Sequence, residues 1–176
     1  PALVKHVDAA ITTVTGTALG DEFHGRAGAE TFNGEGGSDS FHGSLGNDTM
    51  HGGAGTDTLD YSGLTNDNPV VITGTSDGAG TVDVTAPTHF TQTFTGIEVI
   101  SGSQGSDTIN LSTWTSAVTV HGDADDDVIT GGSGNDVLHG NEGNDTLSGG
   151  GGADYLFGEN GDDILKGSDG AGDILD

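Results

Sequence analysis

Ten aspartates share one setting. Asp21, Asp39, Asp48, Asp57, Asp107, Asp127, Asp136, Asp145, Asp154 and Asp163 are each the sixth residue of a nine-residue phrase that opens on glycine. One further phrase, GRAGAETFN at 25–33, carries Glu30 at that place. Carboxylates returning at a fixed interval among glycines make a donor set for a hard cation. Calcium takes six to eight oxygens at about 2.3–2.6 Å from carboxylates and backbone carbonyls together, whereas magnesium demands a tight octahedron and keeps its waters. Glycine suits the rest of such a site, since a carbonyl can face inward with no Cβ in the way and the chain can turn through positive φ.

The elements that must hold these carboxylates follow from the eighth position. It is always large and apolar: Phe23, Phe32, Phe41, Met50, Leu59, Ile109, Ile129, Leu138, Leu147, Leu156 and Leu165. The glycine load forbids a long helix. The first six residues of each phrase are turn chemistry, and the last three are a short strand whose middle side chain points opposite to its neighbours. Turn, strand, turn, strand makes one flattened coil from two phrases, and coils stack about 4.8 Å apart as parallel sheet. The fold class expected is all-β, a parallel β-roll or β-solenoid. Asp39 then sits over Asp57, and Asp127 over Asp145 over Asp163, with Asp136 over Asp154 on the opposite edge. Carboxylates stacked at that spacing repel one another unless a cation lies between them. One apolar residue in nine is too little to hold the coil by burial alone.

The phrases form two arrays, 16–60 and 122–166, with an isolated copy at 102–110 and a degenerate one, GSDGAGDILD, that takes an extra residue before Asp173. This divides the chain into a cap at 1–15, a first roll at 16–60, an irregular β insert at 61–101 and a second roll at 102–176. Within the insert, "VVITGTSDGAGTVDVTA" and "HFTQTFTGIEVISGS" read as strands around Gly and Asp turns. "SAVTVH" at 116–121 keeps the strand half of a phrase and loses its turn, so it continues the wall without a metal. Leu3, Val7, Ala10, Ile11 and Val14 fall at helical spacing, which suggests a capping helix; a β-strand cap is the alternative.

Composition narrows the partners. The chain has 176 residues, 34 glycines, 28 acids against three basic residues, a formal net charge of −25 and no cysteine. Nucleic acid and anionic membrane need a basic footprint that is missing here. A disulfide framework and a thiolate zinc site are excluded, and no apolar run reaches the roughly 18 residues of a membrane span. Low hydrophobicity with high charge is also the signature of disorder, which describes the expected metal-free state.

With these residues in view, the chain resembles the RTX (repeats-in-toxin, hemolysin-type) calcium-binding family. GGAGTDTLD, GGSGNDVLH and GGGGADYLF match its phrase G-G-x-G-x-D-x-U-x at every defined position. The resemblance covers both arrays and the isolated copy. It implies a secreted, extracellular bacterial protein, cell-surface forms included, exported by type I secretion machinery and folding when it meets external calcium. It also implies ligands from the sixth-position aspartates and from backbone carbonyls of stacked turns, carried here to Gly34, Gly36, Gly43, Gly52, Gly131, Gly140, Gly149 and Gly158. Roughly six to eight calcium ions fit the count of stackable turns. With calcium about tenfold above Kd, each site adds roughly 1.4 kcal/mol, or about 10 kcal/mol in all, the size of a whole domain's stability.

The module itself is expected to be no enzyme, with no catalytic residues: HExxH, GxSxG, P-loop and CxxC are absent. The parent is read as a structural or adhesive surface protein, or alternatively as a secreted enzyme (mannuronan epimerase, protease or lipase) with this chain as accessory module. Neighbouring domains or polysaccharide are its candidate further partners. Because the chain ends inside a repeat, it reads as part of a longer protein.

Departures from the phrase mark expected weak points. Glu30 puts a long arm where a short one is needed. GTALGDEFH lacks the fourth-position glycine, and GDADDDVIT has Asp125 there, either as an added ligand or as a crowding group. Asp123, Asp125 and Asp127 imitate an EF-hand start, but Val128 stands where that loop needs glycine. His24, His42, His51, His121 and His139 fall at the ninth position and read as surface decoration. His24 should stack on His42, which suggests a weak, adventitious zinc or nickel site. Tyr155 and Phe157, flanking Leu156, should face outward under the C-terminal tail, a neighbouring domain or a glycan.

Overall fold

The computed structural model describes residues 4–6, 12–65, 68–85, 89–168 and 172–176. Every regular element among them is a β-strand. In the N-terminal span where a helix was one of two expectations, Val4–His6 and Thr13–Thr15 are strands. Residues 7–11, with most of the helical spacing, lie outside the described residues.

The phrase folds as its pattern requires. Glu22–His24, Thr31–Asn33, Ser40–His42, Thr49–His51 and Thr58–Asp60 are three-residue strands with the middle residue buried and its neighbours half-buried. Successive strands alternate between two parallel sheets, so each residue pairs with the one two phrases on: Glu22 with Ser40, Thr31 with Thr49, Val137 with Tyr155. The eighth-position side chains from both sheets meet in one thin core, in which Phe23, Phe32, Phe41, Met50, Leu59, Ile109, Ile129, Leu138, Leu147 and Leu156 are all buried. The Phe23 and Phe41 rings stack at 4.9 Å, which gives the stacking of adjacent coils.

The two walls, of nine and ten strands, run through both arrays without a break. In the nine-stranded wall, Thr58–Asp60 pairs with Val99–Ser101, which pairs in turn with Thr119–Ala124. In the ten-stranded wall, three longer strands stand between the arrays. Val70–Ser76, Ala79–Val84 and Phe90–Thr95 form an antiparallel meander. Its outer members rejoin the parallel order, Phe90–Thr95 against Thr49–His51 and Val70–Ser76 against Thr108–Asn110. One wall therefore gains more strands than the other over this stretch, and bulk fills the difference. The two largest fully buried side chains, Trp114 and Tyr61, belong here. Trp114 meets the Phe94 ring edge-on and donates its indole N–H to the Ala79 carbonyl at 3.2 Å. The tip of the meander is tied down by Asp77, which accepts hydrogen bonds from the Thr115 and Ser116 backbone and the Thr115 hydroxyl.

Residues 116–121 do continue the nine-stranded wall, with buried Val118 at the place an aspartate takes elsewhere. At the other end the tail strand Ile174–Leu175 pairs beside Tyr155–Asn160. Phe157 stacks on His139 at 4.8 Å, while Tyr155 keeps 46% of its surface exposed.

Candidate metal centres

Each sixth-position aspartate stands just before its strand, and the stacking brings these aspartates into two columns. Within a column, one carboxylate oxygen is used for register. Asp39 Oδ1 accepts the Asp21 N–H at 2.7 Å, and Asp57 Oδ1 the Asp39 N–H at 2.8 Å. The same bond links Asp154 to the Asp136 N–H in that wall. In the other wall it joins Asp127 to the Asp107 N–H, Asp145 to the Asp127 N–H and Asp163 to the Asp145 N–H. The extra residue of the degenerate phrase is absorbed before this point, since Asp173 Oδ1 still accepts the Asp154 N–H at 3.1 Å.

The second oxygen is the chemically open one. Oδ2 of Asp39, Asp57, Asp127 and Asp145 is buried and has no hydrogen-bond partner among the described residues. A buried, ionised and unpaired carboxylate oxygen is costly. Desolvation raises Asp57 to about 6, against the backbone hydrogen bond from Asp39 and with help from the Asp39 and Glu98 charges. It raises Asp127 to about 8, with Asp107, Asp145 and Asp123 adding repulsion. Asp39, Asp136 and Asp145 are raised for the same first reason.

The opening glycine completes the setting. A Cβ on Gly34 would lie under 3.0 Å from both Asp39 Oδ2 and the Gly52 carbonyl oxygen of the next coil. The same holds at Gly131 for Asp136 and the Gly149 carbonyl, and at Gly140 for Asp145 and the Gly158 carbonyl. At Gly52 it holds for Asp57 and the Gly96 carbonyl. A carboxylate oxygen and a stacked carbonyl thus converge at a point that only glycine leaves open. An all-oxygen, partly anionic, unsatisfied donor set fits a hard divalent cation. At Gly149 and Gly158 the carboxylates of Asp154 and Asp163 approach in the same way. Gly36 and Gly43 differ: a Cβ on Gly36 would make only ordinary contact with Ala54, and one on Gly43 would strike the Tyr61 ring.

Other turns are satisfied from within. Beside Asp48, the Gln92 amide nitrogen donates to Asp48 Oδ2 at 2.9 Å and to the Ser44 carbonyl at 2.8 Å, also approaching the Gly46 carbonyl at 3.3 Å. Ser44 Oγ donates to the same carboxylate at 2.7 Å. Beside Asp107, Ser103 supplies both its hydroxyl and its backbone N–H. Asp21 Oδ2 accepts the Thr17 N–H at 2.5 Å and Glu30 the Arg26 N–H at 3.2 Å. Asp136 is intermediate: its Oδ2 accepts the Gly132 N–H at 2.8 Å and also converges with the Gly149 carbonyl beside Gly131.

Two residues of these columns lie outside any phrase. Glu98 takes the aspartate's place between the arrays, accepting the Asp57 N–H at 2.9 Å. The signal for it was an acid immediately before the strand Val99–Ser101, whose middle residue Ile100 is buried. Gln92 had no such signal, because its role depends on a register set by the meander. Flanking the second column, Asp123 Oδ2 and Asn141 Oδ1 are a further buried pair without partners among the described residues. Burial raises Asp123 to about 6, with Asp60 contributing.

A family model for the RTX calcium-binding nonapeptide repeat matches four stretches, residues 24–59, 93–112, 119–147 and 139–174, together more than half of the chain. The chain belongs to the RTX calcium-binding nonapeptide repeat family. Its two continuous walls are thus an RTX β-roll, a structural calcium-binding repeat module. The match at 93–112 takes in Glu98 and Asp107, so the RTX pattern reaches past the two arrays into the end of the insert. No curated protein matches the chain.

Proposed function

We propose that this RTX module is a folding switch and structural segment of a large, type I-secreted bacterial surface protein, disordered at low calcium and closed into a rigid roll outside the cell. The observation that carries the reading is the set of buried, unpartnered Oδ2 atoms on Asp39, Asp57, Asp127 and Asp145. They support calcium at those turns, with Gly34, Gly52, Gly122, Gly131 and Gly140 marking where stacked carbonyls converge on the aspartates, and Gly149 and Gly158 marking where the Asp154 and Asp163 carboxylates come close. Asp136, Asp154 and Asp163 extend the same columns. At Asp48 and Asp107 an amide and a hydroxyl take up the carboxylate, and those turns need an ion least. A charge of −25 with three basic residues makes the metal-free chain self-repelling. Divalent ions remove that term and add linkage energy at each site.

The test is circular dichroism during a calcium titration with magnesium as control. A cooperative gain of β signal near millimolar calcium, with little response to magnesium, is expected. Asp145→Ala removes an orphan oxygen and the acceptor for the Asp127 N–H, and should move the midpoint to higher calcium. Asp136→Ala should do the same in the other wall. An unchanged midpoint in both overturns the ligand assignment.

A further inference from the structure

Outside the turns, on the outer face of the nine-stranded wall, four side chains from three adjacent strands meet. The register pairs His24 with His42 and His42 with Asp60, and Glu22 lies on the same face as His24. The two imidazoles are parallel, with centroids 4.3 Å apart. Glu22 Oε1 is 3.0 Å from both His24 Nε2 and His42 Nε2. Asp60 Oδ2 is 2.9 Å from His42 Nδ1. One ligand atom from each of Glu22, His24 and His42 falls within a 4.8 Å span, the only group of this kind among the described residues.

We propose that Glu22, His24 and His42 form a site for one zinc-class divalent ion, separate from the calcium turns. Two imidazole nitrogens and one carboxylate oxygen are the donors that zinc takes at about 2.0–2.2 Å, with a fourth position left to water. Ligands of one tetrahedral ion at that range stand roughly 3.3 Å apart, close to the 3.0 Å seen from Glu22 Oε1 to each nitrogen; the two rings, parallel at 4.3 Å, turn out of their stack to aim both in-plane lone pairs at one ion. Asp60 supplies the orienting bond. By accepting from Nδ1–H it fixes the His42 tautomer and leaves the Nε2 lone pair facing Glu22, the carboxylate–histidine–metal arrangement. Imidazole donors suit zinc and nickel, while calcium wants oxygen, so the two ion classes sort between the outer face and the turns. The second histidine stack lacks the third ligand: His121 lies over His139 at 4.6 Å, but Phe157 follows, and Glu159 meets the Nδ1 of His139. All four residues of the proposed site are half-buried, so an ion can reach it in the folded roll.

The experiment titrates the calcium-loaded chain, in excess calcium, with Zn²⁺ by calorimetry and with Co²⁺ by visible absorption. One equivalent should bind, with the intense d–d bands of a tetrahedral cobalt site, and excess calcium should not displace it. His24→Ala and His42→Ala should each lower affinity at least ~100-fold, and Asp60→Asn about 10–100-fold. His121→Ala should leave the affinity unchanged. Circular dichroism of each calcium-loaded variant verifies that the roll is intact. No stoichiometric binding to the wild-type chain, binding that survives both histidine substitutions, or displacement of zinc by calcium overturns the proposal.

Discussion

A sixth-position aspartate has two oxygens with different tasks. Oδ1 of Asp145 accepts the Asp127 N–H and sets the stacking, while its Oδ2 is buried without a partner among the described residues. The first task is met by the backbone of the neighbouring coil; the second is satisfied only by a cation or a proton. Protons and calcium therefore compete for one atom. Because Asp57 and Asp127 are raised to about 6 and about 8, the folded chain binds more protons than the unfolded one in the window above the usual carboxylate value of about 4. Folding of the chelated chain is thus favoured at low pH and lost as pH rises through about 6 to 8. Circular dichroism in chelator should show more β signal at pH 5 than at pH 8, and the calcium midpoint should rise as pH falls. Gln92 is the contrasting case, a neutral amide doing internally what an ion does elsewhere. Its carbonyl accepts the buried Tyr61 hydroxyl while its nitrogen serves Asp48. Gln92→Ala takes the acceptor from the buried Tyr61 hydroxyl and leaves Ser44 as the remaining side-chain donor to Asp48, and should destabilise the calcium-loaded roll by about 1–3 kcal/mol in denaturant unfolding. The aspartates were legible in the sequence because a nine-residue period announces them. Gln92 was not, because its neighbour Asp48 is 44 residues away.

At the scale of elements, a three-residue strand specifies its place through one buried side chain and two outward-facing, half-buried neighbours. That pattern made the strands and their eighteen-residue register readable in both arrays. The meander between them was legible as strands but not as a partner for particular neighbours. Its alternation at Phe90–Thr95 fixes which face is buried, but not that Thr93 pairs with Thr49 across two turns. Nor did composition show that this region carries the bulkiest part of the core. Trp114 sits where the two walls hold unequal numbers of strands, and its loss would open a cavity that thin coils cannot close. Trp114→Ala should reduce stability of the calcium-loaded protein by about 3–5 kcal/mol. Substitution of Leu147, one methyl-bearing rung among many, should sit at the lower end of the large-to-small range, about 2–3 kcal/mol. Comparing the two denaturation midpoints checks the difference.

At the scale of the molecule, two continuous walls and a net charge of −25 mean that stability and compactness rise and fall together with the ions. Chelation should expand the chain toward the roughly 44 Å radius of gyration of an unfolded polymer of this length, against about 16 Å for a compact domain. Small-angle scattering before and after chelator measures it. The unit of this architecture is the coil rather than the domain. Asp127, Asp145 and Asp163 are linked by the same bond at the same interval, so excising residues 140–157 would bring the Asp127 N–H to Asp163 with nothing else rearranged. The protein's length is in this sense a free variable: evolution can splice rungs in or out as one shortens a ladder, and the two walls will close on whatever number remains.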